Sequence, residues 1–366
     1  MHKLLLLFLL LLFAPVIVSA QEEMPPDGPY LVYRTPDSLV ARIAWPEERR
    51  KEDLVWNDSI AKQLPTFPSF RPELINPNRK FRRDPQISFS GVKKVVALSD
   101  IHGQYEVAKK LLENFGVIDE NQHWIFGKGH LVIVGDVFDR GDEVNQALWL
   151  IHNLQLEAEK AGGRVHLLLG NHETMILAGD VRYIHKRYLL TTALLTTPYQ
   201  DLYGPDTYLG RWLRSLPLTI RINDIVYVHG GLSKSLLREV NTLSKINDIY
   251  HDKLIDAIPS LVVAESEKLK VLQGREGPLW YRGYFLDKEF EENDLDKILK
   301  KLKATKMVVG HTSFDAVKSY FSGKVIAVDS SIKFGSTGEV LIIEDGHYSR
   351  GTLMGERKEL FVSEKK

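Results

Sequence analysis

Between Val95 and Glu173 the chain repeats one arrangement three times: a short apolar run followed by a sharp polar turn. Val95-Val96-Ala97-Leu98 runs into Ser99-Asp100-Ile101-His102-Gly103. His130-Leu131-Val132-Ile133-Val134 runs into Gly135-Asp136-Val137-Phe138-Asp139-Arg140-Gly141, and Val165-His166-Leu167-Leu168-Leu169 into Gly170-Asn171-His172-Glu173. Such runs, bounded by glycine turns, read as buried strands. Helical patterns lie between them. Val107, Leu111, Leu112 and Phe115 share one face, and Val144, Ala147, Leu148, Ile151 and Leu154 share another before Gly162-Gly163 stops the helix. Strand, helix, strand, helix, strand predicts a parallel βαβαβ unit. In open α/β sheets the working residues gather at the carboxyl ends of the strands, so the three polar turns are expected to meet in space.

Two later runs end the same way. Asp224-Ile225-Val226-Tyr227-Val228 leads to His229-Gly230-Gly231-Leu232, and Met307-Val308-Val309 leads to Gly310-His311-Thr312. Val325-Ile326-Ala327-Val328-Asp329 and Val340-Leu341-Ile342-Ile343 read as two further strands. Residues 174 to about 223 read as helical, with Tyr183, Arg182, Tyr188, Tyr208 and Trp212 among interleaved aromatic and basic residues. That segment is either a cap packed beside the site or a wall that selects substrate. A loop at Gly277 to Gly283 sets Arg282 among aromatics.

The ends of the chain read differently. Residues 1–20 have the form of a cleaved secretory signal: Lys3, then an apolar core from Leu4 to Phe13, then Val18-Ser19-Ala20. The expected location is therefore exported, periplasmic or secreted, with no stable membrane span after cleavage. Residues 21–88 read as an accessory hairpin followed by a proline-rich arm. The arm is locally basic at Arg71, Arg79, Lys80, Arg82 and Arg83, which read as a solvated face or as contacts to an anionic surface. Residues 89–346 form the expected catalytic domain, and 347–366 a charged C-terminal tail. Lys plus Arg number 48 against 48 Asp plus Glu, a balance that argues against a nucleic-acid partner. There is no cysteine, so any metal must be held by His, Asp, Glu or Asn.

The strand ends collect Asp100, His102, Asp136, Asp139, Arg140, Asn171, His172, His229 and His311. Carboxylate, imidazole and carboxamide ligands suit divalent manganese, iron or zinc. One metal would need only some of them, so the surplus points to two cations sharing a carboxylate and a hydroxide, an arrangement suited to phosphate-ester hydrolysis. Arginines would grip the phosphoryl oxygens bidentately. His123, His130, His152, His166, His185, His251 and His347 read as structural.

These five motifs, in this order, resemble the calcineurin-like metallophosphoesterase superfamily, in its phosphoprotein phosphatase branch. The resemblance spans about residues 92 to 345. It implies an α/β fold, a metallophosphoesterase-type αββα sandwich with a helical insertion. It also implies that Asp100, His102 and Asp136 hold a first metal, and that Asp136, Asn171, His229 and His311 hold a second. His172 then corresponds to the general acid, Asp139 to the carboxylate that orients it, and Arg140 and Arg282 to the phosphate-binding pair. Many superfamily members end on Gly-His-Xaa-His, whereas this chain has Gly310-His311-Thr312-Ser313. That departure points to the phosphoprotein phosphatase branch, and Leu168-Leu169 before Gly170-Asn171-His172-Glu173, with Val328-Asp329-Ser330-Ser331 standing where eukaryotic Ser/Thr enzymes have another segment, makes the chain most similar to bacterial Shewanella-like phosphatases. The function so implied is a two-metal hydrolase that removes phosphate from phosphomonoesters. Its expected substrate is phosphoprotein (Ser/Thr or Tyr) or a small phosphomonoester, attacked in line by a metal-bridging hydroxide. A symmetrical dinucleoside tetraphosphatase is the enzymatic alternative, and a non-catalytic metal-bound binding protein the alternative of another class.

Overall fold

A computed structural model describes residues 24–257, 261 and 265–361. The signal expected at residues 1–20 lies outside them. An antiparallel sheet comes first, with β1 (Asp27–Thr35), β2 (Ser38–Trp45) and β3 (Arg50–Val55) in that order. There follow β4 (Ser88–Phe89), β5 (Lys94–Leu98), β6 (His130–Ile133), β7 (Arg164–Leu167), β8 (Thr219–Ile222), β9 (Ile225–Val228) and β10 (Lys306–Val309). The remaining strands are β11 (Lys318–Tyr320), β12 (Val325–Ala327), β13 (Glu339–Glu344), β14 (His347–Thr352) and β15 (Arg357–Glu359).

These build two six-stranded sheets, β11-β12-β10-β9-β8-β4 and β15-β14-β13-β5-β6-β7. The predicted βαβαβ unit is the parallel trio β5-β6-β7, with Val95 beside His130 and Leu131 beside Val165. In the other sheet β9, β10 and β12 are mutually parallel.

Alternation along each strand explains why the runs are apolar throughout. Val95 and Ala97 join Val132, Ile225, Tyr227, Val308, Ile326, Leu341 and Ile343 in the core between the sheets. Their neighbours Val96, Leu98, Leu131, Ile133, Val226 and Met307 face outward into a second core shared with the helices. A strand buried on both faces has no polar side to present, so period two is lost from the sequence. Helices Tyr105–Asn114 and Val144–Ala161 bury the stripes read from sequence, and Gly162 ends the second at φ 78°. The architecture is the expected αββα sandwich. Among the described residues, no helix is long and apolar enough to cross a membrane.

Three expectations need correction. The N-terminal hairpin gains β3, whose buried pattern is weak because it lies at the edge of its small sheet. Thr219–Ile222, placed within the helical segment, is β8, paired antiparallel to β9 across a tight turn. Residues 347–359 are no tail: β14 pairs with β13, and β15 with β14. β14 was illegible because burial falls on Ser349 and Gly351 rather than on apolar side chains, and β15 because all three of its residues are charged and exposed.

The arm is not merely solvated either. Phe67 and Phe70 are buried in the main core with Tyr30, Leu39 and Ile43. Arg71 pairs with Glu157 and donates to the carbonyls of Asn121 and Gln122. Arg79, Lys80 and Arg82 line a separate cleft of ≈ 310 Å³.

Candidate active site

The hydrogen-bond ladder does not stop where the strands end. Asp100 N–H donates to Gly135 O at 3.0 Å, His102 N–H to Asp136 O at 3.0 Å and Gly103 N–H to Val137 O at 2.9 Å. The first two polar turns are therefore zipped together. In the other sheet, Gly310 N–H donates to His229 O at 2.8 Å. Gly135 has φ +85°, and a Cβ there would lie 2.7 Å from Gly170 Cα, so the second and third turns touch backbone to backbone. Six site residues hold left-handed backbone: Asp100, His102, Asp136, Asp139, Arg140 and His311. Non-glycine residues in this region are strained by about 1–3 kcal/mol each and persist only where the surroundings over-determine them. Here the interlocked turns do so.

Glu173 is the fastener. Its fully buried carboxylate accepts from Gly170 N (2.7 Å), Asp136 N (2.8 Å), Val137 N (2.7 Å) and Phe138 N (3.3 Å). The sequence carried a signal for this role, because a Glu three residues after a helix's capping position returns to that residue's N–H. Burial lifts its pKa above the ordinary value, helped by the nearby Asp136 charge, while the backbone donors oppose the lift.

Asp136 sits at the centre. Its Oδ2 lies 3.2 Å from His229 Nε2, 3.8 Å from His102 Nε2 and 3.9 Å from His172 Nε2. Its Oδ1 accepts the His172 N–H at 3.0 Å. His229 Nε2 is also 2.9 Å from Asn171 Oδ1. Asp100 Oδ1 approaches His102 Nε2 at 3.8 Å, and Asp100 Oδ2 accepts from His311 N at 2.9 Å.

The ring nitrogens are sorted by their outer partners. His102 Nδ1 faces Phe138 O at 2.7 Å and His229 Nδ1 faces Val134 O at 2.7 Å. A carbonyl can only accept, so each Nδ1 carries the proton and each Nε2 turns inward. Two compact groups result, His102-Asp136-His172 and Asp136-His229-His311, each with its ring and carboxylate atoms within 4.8 Å of one another, and Asp100 Oδ1, 3.8 Å from His102 Nε2, offers the first group a carboxylate in place of the His172 ring. Carboxylate, carboxamide and inward Nε2 atoms converging with few donors among them form an environment that asks for cations. The donor set fits divalent metals.

The electrostatics agree. Burial drives His102 down to about 3 and His311 down to about 2, so both imidazoles are neutral and able to ligate. Burial also opposes charge on His229, but Asp136 and Asp100 outweigh it and push His229 up to about 10. A proton there does what a cation would do. Asp100 is raised by burial and then by Asp329 and Asp136. For Asp136 burial is outweighed by the surrounding histidines, which hold it well below the carboxylate range.

His172 is set apart. Its Nδ1 contacts Asp139 Oδ2 at 2.5 Å, which leaves Nε2 toward the cleft. Burial disfavours its charged form, but Asp136 and the Asp139 hydrogen bond prevail and raise it. A cleft of ≈ 1040 Å³ opens above these residues, lined by Asp100, His102, Asp136, Asn171, His172 and His311, with Arg140 and Arg282 also on its walls. Arg282 Nη2 donates to His311 O at 3.3 Å. His229 lies beneath, fully buried.

All ten residues named from sequence thus converge on one centre. The helical segment is divided between core and cleft wall. Tyr188, Tyr208 and Trp212 are core, whereas Tyr183 stands on the cleft wall with its ring 5.6 Å from that of His172. Sequence reasoning gave no role to Glu173, Asp329, Ser313 or Lys333. None of the histidines read as structural lines the cleft.

Known proteins resemble this chain in sequence and fold. Residues 93–313 match the calcineurin-like phosphoesterase family. The chain is 30 % identical over 278 residues to Shewanella-like protein phosphatase 1 of Plasmodium berghei, covering 72 % of this chain and 75 % of that protein. A crystal structure of a cold-active protein-tyrosine phosphatase from a psychrophilic Shewanella sp. superimposes with a TM-score of 0.83 at 41 % identity, over 92 % of this chain and 100 % of that one. A Saccharomyces cerevisiae protein serine/threonine phosphatase, 19 % identical with a TM-score of 0.52 over 77 % of this chain and 85 % of that one, shares the fold. The chain belongs to the calcineurin-like phosphoesterase family, as a metal-dependent phosphatase similar to the Shewanella-like protein phosphatases.

Proposed function

We propose that this chain is a two-metal phosphomonoesterase acting on phosphoprotein, with phosphotyrosine its preferred group. The observation that carries the reading is the convergence of His102, His172 and His229 on Asp136 Oδ2 within 3.2–3.9 Å, at the floor of a cleft walled by Arg140 and Arg282. Asp100, His102 and Asp136 would hold one divalent ion and Asp136, Asn171, His229 and His311 the other, manganese, iron or zinc by ligand type. Such a pair supplies a hydroxide at neutral pH and positive charge for phosphoryl oxygens.

The chain's own groups do the rest. Arg140 and Arg282 clamp the phosphate oxygens and fix its orientation. His172 holds a proton at Nε2 for the departing oxygen, and Asp139 fixes the ring and favours its charged form. Tyr183, beside His172, offers an aromatic face to an aryl leaving group. The relative of 41 % identity bears the name protein-tyrosine phosphatase, which supports the same preference.

The test is a parallel assay of metal-loaded enzyme on a phosphotyrosine peptide, a phosphoserine peptide and a symmetrical dinucleoside tetraphosphate. The phosphotyrosine peptide is expected to give the highest kcat/KM. A higher value on the tetraphosphate would overturn the reading. We also propose that the protein is exported, on the strength of residues 1–20. Expression with its own N-terminus should yield extracytoplasmic protein that starts near Gln21, and retention of Met1 in cytoplasmic protein would refute this.

A further inference from the structure

Besides Arg140, Arg282 and Arg182, the cleft carries a lysine that the phosphatase chemistry does not use. Lys333 lines it, half-buried, on the loop after β12. Its Nζ donates to Ser313 Oγ, and the Ser313 hydroxyl in turn donates to Asp329 Oδ2 at 2.5 Å. Asp329 is fully buried, so the serine proton is committed inward and its lone pairs face the lysine. The backbone is pinned as firmly. Ser331 N–H donates to Asp329 Oδ1 at 3.1 Å, Ser331 Oγ to Phe314 O at 2.7 Å and Gln104 Nε2 to Lys333 O at 3.3 Å. Left-handed residues Ser331 (φ 65°) and Gly335 (φ 74°) bracket the turn.

Holding a lysine in one conformation costs side-chain entropy. No carboxylate repays that cost directly: among the described residues Lys333 forms no ion pair. A primary ammonium has three N–H donors, and the serine takes one. By contrast, Arg182 in the same cleft is taken up by Asp180.

The location sets what the remaining donors can meet. The turn His311-Thr312-Ser313 carries Arg282 on His311 O at one end and Lys333 on Ser313 Oγ at the other. A phosphate gripped by Arg282 therefore lies one short turn from a second, prepositioned positive charge.

We infer that Lys333 forms a subsite for a second anionic group beside the scissile phosphate, the carboxylate of an Asp or Glu flanking the phosphorylated residue of a peptide. The inference rests on the phosphatase reading above and names the substrate class more closely. A charge-assisted contact of this kind, partly exposed, favours the acidic peptide by about fivefold in kcat/KM.

The test uses three peptides that differ only in the residue next to phosphotyrosine, Asp, Ala or Lys, together with a small aryl phosphate. Full-length enzyme is compared with Lys333→Met and Lys333→Glu, each checked by thermal melting. The readout is the Asp-to-Ala ratio of kcat/KM within each protein, so a change in overall turnover cancels. The wild-type ratio should be about fivefold, fall as salt rises, vanish in Lys333→Met, and give way to a preference for the Lys peptide in Lys333→Glu. A merely structural lysine would not invert a charge preference. A wild-type ratio near one, or a ratio that survives in Lys333→Met, would overturn the inference while leaving the phosphatase intact. Failure to turn over any substrate, the aryl phosphate included, would overturn the phosphatase reading and the subsite with it.

Discussion

Asp136 reaches His229 and His102 with Oδ2 while Oδ1 accepts the His172 backbone N–H, so one carboxylate joins both candidate metal sets to the proton donor. Asp136→Asn is expected to lower kcat by at least about 1000-fold and to lower metal content measured by elemental analysis, because the shared anion is gone. His172→Ala should keep its metal and lose about 100- to 10,000-fold on phosphoserine peptide, much less on a nitrophenyl ester whose leaving group needs no proton. Metal loss equal to that of Asp136→Asn would remove His172 from the proton-donor role. Asp139 acts through His172. Because the Asp139 hydrogen bond and charge raise the His172 pKa, Asp139→Asn should bring deprotonation, and with it the alkaline fall in kcat, to lower pH. An unshifted pH profile would contradict that assignment. At this scale the residue types were legible from sequence, since five polar turns carrying Asp, Asn or His, each after an apolar run, are hard to obtain by chance. Lys333 was not legible. Its partner Ser313 comes from another turn, and a lone lysine between Ile332 and Phe334 reads as surface.

The turns work as elements only because they are fastened to one another. Glu173 ties four backbone N–H groups from two turns to one buried carboxylate. Glu173→Gln replaces an acceptor oxygen with a donor facing other donors, which should cost about 2–3 kcal/mol and lower the Tm by several degrees. It should weaken metal binding as well, because Asp136 and Asn171 begin from those turns. A variant with native Tm and native metal affinity would show that the left-handed residues are held elsewhere. The strands and helices that carry these turns could be read from apolar periodicity, and Gly162 closes its helix where the glycine pair predicted. β14 could not, because its buried positions are Ser349 and Gly351 and its exposed ones include His347. Its place is set by pairing with β13, a long-range fact absent from local pattern.

At the scale of the whole molecule, the N-terminal sheet is part of the body that holds the site. Arg42 Nη2 donates to Leu195 O at 2.7 Å and Asn145 Nδ2 to Gly28 O at 2.8 Å. Asp27 accepts from Thr191 Oγ1 at 2.6 Å, and Val144 N–H donates to Tyr188 Oη at 2.9 Å. A chain of contacts thus runs from β1 through helix Lys186–Leu195 to the loop that begins with Arg140. Tyr30, Leu31, Leu39, Ile43, Phe67 and Phe70 are buried with it. Removing them would uncover the apolar surface they pack on, and at about 1.5–3 kcal/mol per large apolar side chain that loss would rival the stability of a typical domain, about 5–15 kcal/mol. A chain beginning at Val92 is therefore expected to be insoluble or to lack a cooperative melt by circular dichroism. A soluble, active truncation would restore the view of residues 24–88 as a solvated arm. What the sequence by itself determined was the order of buried strands, the parallel unit and the identity of the candidate ligands, because burial on both faces and turn chemistry are written in neighbouring residues. Only the tertiary structure decided that β9 and β10 bring His229 and His311 from a second sheet onto Asp136. It alone put Glu173 beneath the turns and Lys333 beside the cleft. Those placements depend on contacts between segments distant along the chain, which no local pattern encodes.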